Sequence, residues 1–121
     1  MADPARRGSS GRIHNINQLM PPLPELVQAH RGRELAVKCA PGIDFADVAD
    51  WAGQIDVVSV DGDVKESCVY TPGLSVGNVR RAVVLRGAEE LTLTSAMPDD
   101  VGDGPAGSFI FDADGAIVRA G

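Results

Sequence analysis

The chain opens without a usable apolar period. "RRGSSGRIHNINQ" is rich in Gly, Ser and Asn and has neither the helical 3.6-residue repeat nor the strand two-residue repeat, so residues 3–20 read as loop. "MPPLPELVQAHRG" changes the pattern: Leu23, Leu26 and Val27 form an apolar stripe, Pro24 suits the first helical position, where a missing N–H costs nothing, and Gly32 stops the helix. The P-x-x-P spacing from Pro21 to Pro24 also fits an SH3-type ligand, although a helix start is the preferred reading.

"ELAVKCAPGI" is a short buried strand through Leu35, Val37 and Cys39, ended by Ala40-Pro41-Gly42. "DFADVADWAG" then reads as a helix, with Asp44 as cap, Asp47 near the positive helix end, Phe45, Val48 and Trp51 three residues apart, and Gly53 closing it. In "QIDVVSVDGDVKESCVY", Asp61-Gly62 separates two β-rich runs, and a tight hairpin turn needs residues that tolerate positive φ. "RRAVVLRG" and the alternating "ELTLTS" predict two more strands. "MPDDVGDGPAGS" is a linker by composition, and "FIFDADGAIVRAG" opens as a further strand.

The expected fold class is therefore α/β: a parallel strand-helix unit followed by an antiparallel hairpin and meander, which describes the second half of an open sheet. The missing parallel strands would leave the Leu35–Cys39 strand with an unpaired neighbour, an edge open to self-association or to a separate protein.

Composition narrows this little. The 121 residues suffice for one domain, and no apolar run approaches the ~18 residues that cross a bilayer or resembles a signal peptide, so a cytoplasmic location is expected. Cys39 and Cys68 lie in strand-like runs and read as core thiols in a reducing compartment. The net charge of −6 is unevenly spread: residues 1–38 carry +3 and residues 39–121 carry −9. Any contact with a phosphate backbone should concentrate at Arg6, Arg7 and Arg12, which otherwise form an ordinary solvated loop.

Cofactor and metal fingerprints are weak. The chain has no G-x-G-x-x-G, no phosphate-binding G-x-x-x-x-G-K-[ST] and no nucleophile-elbow serine, and His14, His30, Cys39 and Cys68 lack zinc-ligand spacing. "GSSG" could offer backbone N–H groups to an anion, but no helix start follows it. What remains is Asp3-Pro4-Ala5-Arg6, common enough in turns.

Asp3-Pro4-Ala5-Arg6 resembles the fourth motif of class I S-adenosylmethionine-dependent methyltransferases, where an acid or amide and a proline end a strand beside the transferable methyl group. The ordered series "DPARRGSSGRI", "PPLPELV", "RELAVKCAPGI", "VVSVDGDVKES", "RRAVVLRG" and "FIFDADGAIVRAG" resembles bacterial members of that family that carry a C-terminal THUMP-like domain. Against that family's aromatic Tyr-Leu-Tyr-Glu-Pro, this chain has Phe109-Ile110-Phe111-Asp112-Ala113.

The resemblance implies the C-terminal half of a Rossmann-like methyltransferase domain at residues 1–96, a linker at 97–107 and the start of a THUMP-like module at 108–121. It implies a fragment of an enzyme whose cofactor is S-adenosylmethionine, bound by a half that would precede Met1, so that the chain alone would bind no cofactor and be inactive. Asp3 and the Pro4 carbonyl would orient the target nitrogen, while Arg6 would stack on a base or grip a phosphate. RNA or another nucleic acid would be the parent's substrate, and the missing cofactor half a partner. Lys38 and Asp61 sit in the resembling segments without a derivable role. A non-catalytic binding or scaffold module is the alternative.

Overall fold

The computed structural model describes residues 1–4, 15–98 and 104–121 and the backbone of 7–8 and 11–12. Two short strands, β1 (Arg7–Gly8) and β2 (Gly11–Arg12), pair antiparallel, so the expected loop contains a small ladder. A 3-10 turn at Ile16–Gln18, capped by the Asn15 side chain, leads to α1 (Leu23–Ala29). Leu23 takes the first position of α1 and Pro24 the second, one later than expected but still in the first turn, and beyond the helix end Gly32 adopts φ +83°, a conformation that favours glycine.

Five further strands build one sheet: β3 (Ala36–Cys39), β4 (Gln54–Val60), β5 (Asp63–Tyr70), β6 (Val79–Arg86) and β7 (Glu89–Thr94), in the order β3-β5-β4-β6-β7. The β4–β5 hairpin forms as expected, with Asp61 at φ 51° and Gly62 at φ 88°. Asp61 also acquires a role: its N–H donates to Leu85 O at 2.8 Å, and its carboxylate accepts from the Gly87 N–H at 3.2 Å. The two hairpin turns are thereby tied together.

Three expectations need correction. β3 pairs antiparallel with β5, which is inserted between β3 and β4, and the long parallel ladder runs between β4 and β6. The chain after β5 thus crosses back over the hairpin instead of continuing a meander. Second, the helix expected from Asp44 is only a 3-10 turn, Phe45–Val48, capped as foreseen by Asp44 on the Ala46 N–H. Past Val48 the chain continues as turns, with the Trp51 and Ala52 N–H groups both donating to Val48 O at 3.2 and 2.9 Å. Gly53 ends the segment by donating to Tyr70 O at 2.8 Å, where a Cβ would sit 2.6 Å from Pro72 Cα.

Third, Phe109–Phe111 forms no strand, and the following residues form α2 (Gly115–Ala120). Asp114 overrides the β-prone triplet by capping Ala116, after which Ala116 and Ala120 bury against the sheet.

Alternation along the strands separates two faces. One row, Cys39, Ser67, Val57, Ala82 and Leu93, faces the core, where Leu23 and Val48 cover one end and Ala116 and Ala120 the other. Each fully buried Leu or Val there contributes about 1.5–3 kcal/mol. The next row, Lys38, Cys68, Asp56, Arg81 and Thr94, faces the opposite way, and both apolar clusters with their helices lie on the first side. No helix of the described residues is long and apolar enough to cross a membrane.

Candidate functional site

Asp3 reaches the sheet because Ala2 bridges to β3. The Ala2 N–H donates to Ala36 O at 2.8 Å and Ala2 O accepts from the Lys38 N–H at 2.9 Å, a parallel bridge to Val37. The edge foreseen as unpaired is therefore partly occupied by the chain's own first residues. Pro4 is buried just beyond, while the Asp3 side chain stays 58% exposed.

The same strand that receives Ala2 supplies a cation. Lys38 Nζ lies 3.7 Å from Asp3 Oδ2 and 3.1 Å from Glu66 Oε2, so one ammonium stands between a carboxylate of the motif and one of β5. Lys38 is opposite Cys68, which makes Glu66 its diagonal neighbour, within reach of a long side chain. Further along the row, Arg81 donates to both oxygens of Asp56, at 2.7 and 2.5 Å, and Gln54 adds a bond at 2.8 Å. That bidentate pairing, more than anything else, raises the Arg81 guanidinium pKa and keeps it charged.

The Cys68 thiol lies between Lys38 and Asp56, and the Tyr70 phenol follows two residues on in β5, between Ala36 and Gln54. Burial pushes Cys68 above its ordinary value, opposed by the Tyr70 hydroxyl, and burial followed by Cys68 does the same to Tyr70. Both stay protonated near neutrality, so neither is an activated nucleophile. Cys39 and Cys68 are buried thiols that form no disulfide with each other, as their strand context implied.

Of the residues foreseen for function, Asp3 and Pro4 are brought together at the sheet edge, whereas Arg6 lies outside the described residues. Arg7 and Arg12 face each other directly in the β1–β2 ladder, which puts two basic positions at one level of the loop. His14 is outside the described residues and His30 is half-buried at the end of α1; no metal-ligand cluster occurs among the described residues. Sequence reasoning missed the Asp3–Lys38–Glu66 and Asp56–Arg81 groupings. A signal existed in "AVKC" and "QIDVV", where a charge between apolar residues marks the face opposite the core.

Elsewhere, a groove of about 590 Å³ lies on the helical side, lined by Leu23, Val27, His30, Arg31, Arg33 and Trp51. At the other end, Arg119 donates to Pro41 O at 3.1 Å and to Ile43 O, and lies 4.9 Å from the Phe45 ring. Arg119 thus clamps α2 to the Ala-Pro-Gly turn after β3.

The chain is 43% identical over 122 residues to an uncharacterized S-adenosylmethionine-dependent methyltransferase of Mycobacterium tuberculosis strain CDC 1551 / Oshkosh. It is equally similar to one named the same way in strain ATCC 25618 / H37Rv. Each match takes in 98% of this chain and 34% of the relative, so the chain spans about a third of the length of the curated relatives it matches. The homology supports a methyltransferase lineage, and the mixed α/β sheet is compatible with one. No protein-family model matches the chain, and no solved structure matches it significantly.

Proposed function

We propose that this chain forms the acceptor side of an S-adenosylmethionine-dependent methyltransferase site, in which Asp3 and the Pro4 carbonyl orient a target nitrogen. The observation that carries the reading is the docking of Ala2-Asp3 on the edge of β3, in a chain 43% identical to proteins bearing that name. An exposed carboxylate held at a strand end can accept an amine N–H and fix the direction of its lone pair, which is the geometric demand of in-line methyl transfer.

The described residues do not fit a cofactor cradle. Among the described residues no glycine-rich strand-turn leads into a helix, and Asp61, the acid that follows β4, is committed to the hairpin turns, whereas open α/β sheets hold nucleotide cofactors through such turns and acids. The sulfonium that supplies the methyl group therefore belongs, in this proposal, to another part of a longer enzyme of which this chain is a fragment. Segment 97–107 is its linker, and 108–121 the junction with a THUMP-like module. Nucleic acid is the proposed substrate class, with Arg6, Arg7 and Arg12 meeting phosphates.

The test is nucleoside mass spectrometry of total RNA and DNA from the host. Deleting the gene should remove one methylated nucleoside, and Asp3→Ala should do the same. If every methylated nucleoside survives deletion, the nucleic-acid reading is wrong.

A second reading rests on Phe109, Ile110 and Phe111, which are 82–100% exposed in consecutive positions. Such a run is what a binding or scaffold module would offer a partner. Light scattering on the purified chain separates the two: stable association abolished by Phe109→Ser with Phe111→Ser favours the scaffold.

A further inference from the structure

We propose that Lys38 is a positioning residue that sets the direction of the Asp3 carboxylate, with Glu66 as its anchor on β5; the inference rests on Asp3 being the acceptor-orienting group. Lys38 grips the motif twice, through its main-chain N–H on Ala2 O at 2.9 Å and through its ammonium at 3.7 Å from Asp3. The two contacts do different things. The main-chain bond fixes where the strand end lies, and the ammonium fixes how the carboxylate turns upon it.

Among the described residues Lys38 is the charged group that meets the Asp3 side chain, which is otherwise 58% exposed. Lys38 is 27% exposed and tethered by Glu66 at 3.1 Å, so its ammonium is restrained from the sheet side before it meets Asp3. An ion pair this open contributes little to folding. Its consequence is orientational: an in-line reaction loses about a hundredfold when a group moves by roughly an ångström. Lys38 therefore affects turnover far more than stability.

The experiment places Lys38→Met, Lys38→Arg, Glu66→Gln and Asp3→Ala in the host gene, with protein abundance measured beside the methylated nucleosides. Lys38→Met should lower the nucleoside lost in Asp3→Ala by about tenfold or more at unchanged abundance. Lys38→Arg should restore it, and Glu66→Gln should fall between. If Asp3→Ala removes the nucleoside and Lys38→Met leaves it at the wild-type level, the positioning role is wrong while the function stands. If deletion changes no nucleoside, the function is wrong, and NMR of the isolated chain decides the geometry. There, loss of Asp3 side-chain order in Lys38→Met but not in Lys38→Arg supports the contact, and unchanged order in both overturns it.

Discussion

The two faces of the sheet use the same five strands for opposite purposes. On one, Val37, Cys39, Val57, Val69 and Ala82 are buried beneath α1, the Phe45–Val48 turn and α2. On the other, the same strands hold Lys38, Glu66, Asp56 and Arg81 in ion pairs at 2.5–3.1 Å. The difference teaches that a strand can place a core residue and a site residue in consecutive positions, so Val37 and Cys39 stabilise the platform on which Lys38 works.

The sharpest way to break the comparison is to damage the apolar face. Leu23 is 1% exposed, and Leu23→Ala should cost about 2–5 kcal/mol in urea unfolding by losing both transfer energy and packing. On the polar face, Arg81→Met leaves the Asp56 carboxylate buried without its cation. Because Arg81 is 29% exposed, water softens the penalty to about 2–3 kcal/mol, below the range for a fully enclosed pair. Asp56→Leu combined with Arg81→Met should recover most of that loss, since the apolar pair leaves no orphan charge.

Asp114→Ala comes next, at about 1 kcal/mol, from loss of the α2 cap. The Ser59 hydroxyl beside it, then the Ala116 N–H, hold the Asp114 carboxyl below its ordinary value, although Oδ2 itself forms no ideal hydrogen bond and lies 3.5 Å from Arg86. A lowered folded-state value adds stability that is present above the unfolded value of 3.8 and lost as pH falls through the folded one. Acid unfolding of Asp114→Asn, which keeps a capping oxygen, should therefore be less steep below that pH than in the wild type. The smallest effect belongs to Lys65→Ala: its exposed pair with Asp63 at 3.0 Å should shift the urea midpoint by less than about 0.5 kcal/mol equivalent.

Local signals were the legible ones. The Asp61-Gly62 turn, the Pro24 helix start, the Asp44 cap and the buried β3 strand each follow from a few adjacent residues. Strand order was not legible, because the insertion of β5 between β3 and β4 is decided by side chains far apart in sequence. Phe109–Phe111 misled for a related reason: β propensity needs a neighbouring strand to be realised, and the adjacent Asp114 cap starts a helix instead. At the candidate site, Asp3 and Pro4 stood out through resemblance. Lys38 and Glu66 did not, since only the β3–β5 register brings them to Asp3.

The most direct test asks whether Asp3, at the edge of the polar face, acts without supporting the fold. Asp3→Ala is compared with wild type by urea midpoint and by host nucleoside content together. The account predicts an unchanged midpoint and the disappearance of one methylated nucleoside. A full complement of methylated nucleosides in cells carrying Asp3→Ala would contradict it.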